Sequence, residues 1–229
     1  MADVRLQIFR GDEKNADFEE FTVPLEEGMV VLDAIHWVQA NVDPGLAVRW
    51  NCKAGKCGSC GVEIDGQPKL SCMTSFADLD LSKPIIVTPM KTFPLIRDLV
   101  VDVAWNFETK KRIAPFRPRV QTPAELSAGG WQMQQYDVER VQEFRKCIEC
   151  FLCQDVCHVL RNHGMHDEFI GPRFLMYAAS LEAHPLDEGD RIGAVRDEYG
   201  LGLCNITKCC VDVCPEHINL TDNAIIPLK

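Results

Sequence analysis

The sequence predicts an α+β protein in two parts: a small mixed sheet with one helix, then a helical half. Two observations carry this. Apolar residues alternate with period two near the N-terminus, whereas in the second half they recur at helical spacing. Twelve cysteines also fall into three compact groups that leave only Cys209 over, which points to metal sites distributed over both parts.

Residues 3–10 place Val4, Leu6 and Ile8 on one face, as a half-buried strand does. Gly11 to Asn15 is polar turn material, and Phe18 to Val23 completes a hairpin. Val30, Val31, Ala34, Ile35 and Val38 recur at helical spacing, so a helix is expected over 29–41, ending before Pro44-Gly45. Cys52 to Cys60, with Gly55, Gly58 and Gly61 in and beside it, suits a loop. Val62 to Ile64, an Asp65-Gly66 turn and Leu70 to Met73 read as a second hairpin, and Ile85-Ile86-Val87 as a closing strand. Leu95 to about Lys111 then reads as helical. Thr122-Pro123-Ala124-Glu125 is a capping box with proline at the first helical position. Asp137 to Cys147 and Gly171 to Ala183 are further expected helices. The change of period places a domain boundary near 105, giving domains 1–105 and 106–229.

Composition narrows the function classes. The chain has 229 residues, 46% of them hydrophobic, enough for a core without disulfide staples. Its net charge is 24 − 34 = −10, which argues against nucleic acid as a partner. The first residues carry no apolar run of a signal peptide. The most apolar segment, Leu99 to Trp105, is short and interrupted by Asp102, whereas a spanning helix needs about 20 apolar residues. A soluble chain in a reducing compartment is expected, where clustered cysteines hold metals. No G-x-G-x-x-G occurs, so nothing suggests a flavin or nicotinamide site on this chain. The acidic stretch Asp187-Glu188-Gly189-Asp190 reads as a solvated loop.

The cysteine spacings carry the chemistry. Cys52-x4-Cys57-x2-Cys60 with Cys72 following is the plant-type [2Fe–2S] pattern. Two bridged irons need four terminal thiolates, and a glycine-rich loop turns backbone N–H groups toward sulfur. Zinc favours paired C-x2-C units, of which this group has one. Cys147-x2-Cys150-x2-Cys153-x3-Cys157 is the bacterial ferredoxin run, whose fourth cysteine ligates the other cluster. Cys147, Cys150 and Cys153 then bind a [4Fe–4S] cluster together with Cys214. Cys157 joins Cys204 and Cys210. The regular run puts a cysteine at 207, but Thr207 stands there. Three thiolates support a [3Fe–4S] cluster. Cys209 is the rival fourth ligand. Its adjacency to Cys210 argues against that, since neighbouring side chains point apart, and a buried free thiol is the expected alternative.

Arg49-Trp50-Asn51-Cys52-Lys53-Ala54-Gly55-Lys56-Cys57-Gly58-Ser59-Cys60-Gly61, Leu70-Ser71-Cys72, Pro94-Leu95-Ile96-Arg97-Asp98-Leu99-Val100-Val101-Asp102 and both C-terminal cysteine groups resemble the iron–sulfur subunit of succinate dehydrogenase and fumarate reductase. The resemblance covers nearly the whole chain. It implies a plant-type ferredoxin (β-grasp) domain followed by an all-helical, bacterial-ferredoxin-like domain. It also implies a flavoprotein partner carrying FAD that oxidises succinate, one or more transmembrane anchor subunits, and quinone at the interface with the anchor. The chain is then a peripheral subunit on the cytoplasmic face of a bacterial plasma membrane, moving electrons within a succinate:quinone oxidoreductase.

The departures from the family concern the quinone end. Where the family usually has proline after the fourth cysteine of the second group, this chain has His158. Val159-Leu160-Arg161-Asn162 lacks the tryptophan of many ubiquinone-reducing members, and Asn205 replaces their histidine. His158 and Asn205 are the candidate quinone contacts, and menaquinone is the preferred quinone. His36, His163, His166, His184 and His217 read as surface or structural residues. A fumarate reductase subunit, a subunit of another flavin-linked dehydrogenase, a free ferredoxin-like carrier and a structural zinc protein are the alternatives.

Overall fold

The computed structural model describes residues 3–229. Strand β1 (Asp3–Gly11) pairs antiparallel with β2 (Ala16–Pro24), Leu6 opposite Phe21. Helix α1 spans Val31–Asn41. β3 (Gly61–Ile64) and β4 (Gln67–Leu70) form the second hairpin, turned by Asp65-Gly66. β5 (Ile85–Thr88) inserts between β1 and β3, parallel to the first and antiparallel to the second. The sheet order is β2-β1-β5-β3-β4. Val4, Leu6 and Ile8 of β1 and Ile85 and Val87 of β5 meet Val31, Ala34, Ile35 and Val38 of α1 in one core. Period-two and helical faces are thus buried against each other.

Leu95 to Lys111 is not one helix. Leu95–Arg97 (β6) and Val100–Val101 (β7) form a small hairpin, and only Ala104–Arg112 (α2) is helical. The cause is Asp98, which is almost fully buried with a left-handed backbone. Its carboxylate accepts hydrogen bonds from Gly11 N (2.7 Å) and Ala47 N (2.8 Å) and from Arg10 Nε (3.3 Å). Those partners fix the turn against the apolar periodicity.

The remaining helices are α3 (Pro123–Ala128), α4 (Gln135–Gln142), α5 (Leu152–Asp155), α6 (His158–Arg161), α7 (Gly171–Glu182), α8 (Ile192–Asp197), α9 (Cys209–Asp212) and α10 (Ile226–Leu228). α3 has the expected box: Thr122 and Glu125 cap it reciprocally, and left-handed Gly129 closes it. The helix expected over 137–147 stops at Gln142 and tightens to a 3₁₀ turn over Glu143–Lys146. The strand expected over 70–73 ends at Leu70, so Cys72 lies in a turn.

The fold divides into two compact units. One contains the chain up to Val103 with Ile148–Val156 and Val213–Pro215. The other contains Ala104–Cys147, Cys157–Asp212 and Glu216–Lys229. Phe174, Leu175, Met176 and Ala178 of α7 lie in the core of the second. The acidic stretch there is not simply solvated. Asp187 is buried against the fully buried guanidinium of Arg191, 3.0 Å away. Arg191 also donates to the carbonyls of Ala114 (2.7 Å) and Pro115 (2.6 Å) and to Glu182 (3.2 Å). A buried charge persists only when its donors are satisfied, and this arginine staples the segment before residue 118 to that after α7. Among the described residues, no helix is long and apolar enough to cross a membrane.

Candidate metal centres

The first group is assembled by a loop and a turn of the ferredoxin-like unit. Left-handed Lys53, Gly55 and Gly58 coil the loop. The coil aims N–H groups at sulfur: Ala54 N and Lys56 N each lie 3.3 Å from Cys52 Sγ, and Cys52 N lies 3.5 Å from Cys57 Sγ. The Ser59 hydroxyl is 2.9 Å from Cys57 Sγ. Cys72 is brought in by Ser71, whose N–H (3.1 Å) and hydroxyl (3.0 Å) both donate to the Cys60 carbonyl. Arg49 Nε holds the Ser59 carbonyl at 3.1 Å.

These donors to sulfur fit an anionic, thiolate-ligated cluster. Burial opposes ionisation of Cys57, but hydrogen bonds from the Ser59 hydroxyl and N–H and from Cys52 outweigh it and bring the thiol to about 6. Cys72 is pushed up to about 12 by burial, by its hydrogen bond with Cys60 and by the charges of Cys60 and Cys52. Four thiols so crowded cannot all ionise against one another. Positive iron at their centre removes that conflict. All twelve cysteines are free of disulfides.

In the second group, Cys150 and Cys153 are buried and flank left-handed Phe151, with left-handed Glu149 before them. These two and Cys214 belong to the ferredoxin-like unit, whereas Cys147 falls in the helical unit. Asp155 anchors the segment, accepting from Thr92 N (3.0 Å), while its carbonyl accepts from the Thr92 hydroxyl (3.0 Å). Gly58 packs directly on it: a Cβ there would lie 2.7 Å from Cys150 Cα. The loop of the first group and Cys150 of the second are therefore in close backbone contact.

The third group lies within the helical unit. Cys157 precedes α6, Cys204 follows a 3₁₀ turn over Leu201–Leu203, and Cys209 and Cys210 open α9. The intervening loop has left-handed backbone at Ile206 (φ 60°) and Lys208 (φ 64°), costly for a β-branched residue and concentrated at functional sites. Cys157, Cys204, Cys209 and Cys210 line one hollow with Thr207, His158 and Asn205. Burial first, then neighbouring thiols, push Cys157 up to about 11, against the N–H groups of Leu160 and Val159. Cys210 is pushed up to about 12 by burial and by Cys209, Cys157 and Cys204, although the Thr221 hydroxyl opposes this. The donor set again fits a cluster.

The structure thus gathers Cys52, Cys57, Cys60 and Cys72, and separately Cys157, Cys204 and Cys210. It sets His158 and Asn205 beside the latter. Cys209 is partly exposed rather than buried and shares the hollow. The left-handed turn ahead of α9 is invisible to a rule about neighbouring side chains. Arg49, Ser59, Ser71, Thr92 and Asp155 are positioning residues that spacing does not single out. His36 packs edge-on to Trp50, His166 to Trp105 and His184 to Phe116, with ring centroids 4.6, 4.8 and 5.0 Å apart, as structural residues do.

A 2Fe-2S iron-sulfur cluster binding domain matches residues 4–108, and a 4Fe-4S dicluster domain matches 143–218. The fumarate reductase iron-sulfur subunit of Mycobacterium tuberculosis is 31% identical over 204 residues, covering 88% of this chain and 81% of the relative. The succinate dehydrogenase iron-sulfur subunit of Bacillus subtilis is 32% identical over 213 residues, covering 89% and 81%. A chain of the Mycobacterium smegmatis Sdh1 complex in the apo form superposes with a TM-score of 0.93 at 53% identity, covering 99% of this chain and 93% of that one.

Proposed function

Because this chain belongs to the iron–sulfur electron-transfer subunits of the succinate dehydrogenase and fumarate reductase family, we propose that it links a succinate-oxidising flavoprotein to a quinone at a membrane anchor. The observation that carries this reading is the close backbone approach of Gly58 to Cys150, which brings the loop of the first cysteine group against a cysteine of the second. The ligands proposed are Cys52, Cys57, Cys60 and Cys72 for [2Fe–2S], Cys147, Cys150, Cys153 and Cys214 for [4Fe–4S], and Cys157, Cys204 and Cys210 for [3Fe–4S]. When bound, the clusters supply one-electron carriers between a two-electron flavin and a two-electron quinone.

The chain's own residues set how those carriers behave. N–H groups of Ala54, Lys56 and Cys52 and the Ser59 hydroxyl donate to sulfur, which favours the reduced, more negative state. Deeper burial at Cys157 and Cys210 favours the less charged state. His158 and Asn205, beside the third group, are the proposed quinone contacts, with menaquinone as the quinone. The chain is proposed to sit peripherally at the cytoplasmic face of a bacterial plasma membrane, with FAD on the flavoprotein.

The test is to purify the complex from its host, identify its subunits and quinone, and follow succinate-driven menaquinone reduction. Co-purification of a flavoprotein and a membrane subunit with that activity supports the reading. A chain isolated alone, or paired with a flavoprotein for another substrate, contradicts it. Fumarate reduction faster than succinate oxidation would assign the opposite physiological direction.

A further inference from the structure

Cys209 is left over by the three spacings but does not stand apart in the fold. It lines the hollow shared by Cys157, Cys204 and Cys210. Its thiol is close enough to Cys157 and Cys210 to act on both electrostatically. Its sulfur lies 3.2 Å from Thr207 Oγ1. Position 207 is where the regular ferredoxin run carries its missing thiolate, so the Cys209 sulfur reaches the side chain that stands in that thiolate's place. Successive helical residues turn by about 100°, which would separate Cys209 from Cys210. Here the chain enters α9 through left-handed Ile206 and Lys208, and both cysteines line the hollow. Cys209 is also partly exposed in the chain by itself.

We propose that Cys209 is a fourth-iron ligand that lets the third group take up Fe²⁺ and pass between three-iron and four-iron forms. The inference rests on the reading that Cys157, Cys204 and Cys210 hold a cluster. One electron, supplied by the reduced chain or by dithionite, takes [3Fe–4S]⁺ to [3Fe–4S]⁰. Addition of Fe²⁺ then gives [4Fe–4S]²⁺. The Cys209 thiol releases its proton to solvent as its sulfur replaces a water on the entering iron, and no cluster bond breaks. The added thiolate makes the site more negative and lowers its potential. Iron supply then sets how readily this carrier accepts electrons.

The experiment uses the purified complex, wild type and Cys209→Ala. Each is reduced with dithionite under anaerobic conditions, incubated with Fe²⁺, desalted and reoxidised mildly. The oxidised [3Fe–4S] EPR signal is then recorded, and iodoacetamide labelling of Cys209 is read by mass spectrometry before and after iron. The wild type should lose most of the signal while Cys209 becomes protected from labelling, and Cys209→Ala should keep its signal. A signal absent from the wild type as isolated but present in Cys209→Ala is the same result reached inside the cell. If the wild type keeps its signal and Cys209 stays reactive, the proposal is overturned. Equal loss in both proteins also overturns it. Should Cys209→Ala not assemble, wild-type protection from labelling decides. If neither protein holds iron and sulfide beyond one [2Fe–2S] and one [4Fe–4S] cluster, the underlying reading fails, and the iron count distinguishes that failure.

Discussion

Removing the Ser59 hydroxyl tests whether this chain tunes its first cluster as described. The hydroxyl lies 2.9 Å from Cys57 Sγ and is the shortest contact to that sulfur among those described. A hydrogen bond to a charged acceptor is worth about 1.5–3 kcal/mol. The cluster is anionic in both redox states, so only part of that depends on the added electron. Taking that part as about 1 kcal/mol, and one-electron transfer at ~59 mV per tenfold in equilibrium, Ser59→Ala should lower the [2Fe–2S] potential by about 40 mV. Ser59→Thr keeps the hydroxyl and should move it far less. The assay is a redox titration of the purified complex followed by EPR. An unchanged or raised potential in Ser59→Ala, or equal shifts in both variants, would refute the reasoning.

Gly58→Ala adds a Cβ 2.7 Å from Cys150 Cα at a φ of +70°, costing at least ~1–2 kcal/mol for the left-handed backbone alone; it should lower the yield of the [2Fe–2S] signal and broaden that of the neighbouring cluster, and intact spectra would contradict the contact. Arg191→Met leaves Asp187 buried without its partner, a loss of about 3–5 kcal/mol, and should lower the melting temperature by roughly 10 °C, with Asp187→Asn in the same chain restoring part of it. Arg119 first, then the N–H groups of Gln132 and Thr122, hold Glu125 well below the ordinary carboxylate range. Because its folded pKa is depressed, its stabilisation is present above the unfolded value and is lost as pH falls through and below that range. The melting-temperature gap between wild type and Glu125→Gln should therefore be full at pH 7 and narrow steadily as pH falls below the ordinary carboxylate range, without closing by pH 3; a constant gap would contradict the ion pair.

Much of this was legible because simple periods survive into the fold. Val4, Leu6 and Ile8 alternate and are buried, and Val31, Ala34, Ile35 and Val38 face them from one helix. Thr122 and Glu125 form the expected capping box. Cysteine spacing was legible for a similar reason, since a cluster fixes the distances its ligands must span. What stayed hidden is tertiary. Asp98 breaks an apolar run because Gly11, Ala47 and Arg10 satisfy its carboxylate from distant positions. Asp187 leaves solvent because Arg191 meets it four residues on and bonds carbonyls more than seventy residues back. Cys209 faces the hollow because non-glycine residues before it adopt left-handed backbone. No local pattern encodes those partners.

The central claim is that three clusters are held by three cysteine groups in one chain. Iron and acid-labile sulfide analysis of the purified complex, read together with EPR of its oxidised and reduced forms, tests it most directly. The account predicts a [2Fe–2S] signal on reduction, iron and sulfide for two further clusters, and a third-group signal whose three-iron or four-iron character follows Cys209. Stoichiometric zinc, or a single cluster type accounting for all the iron, would contradict it.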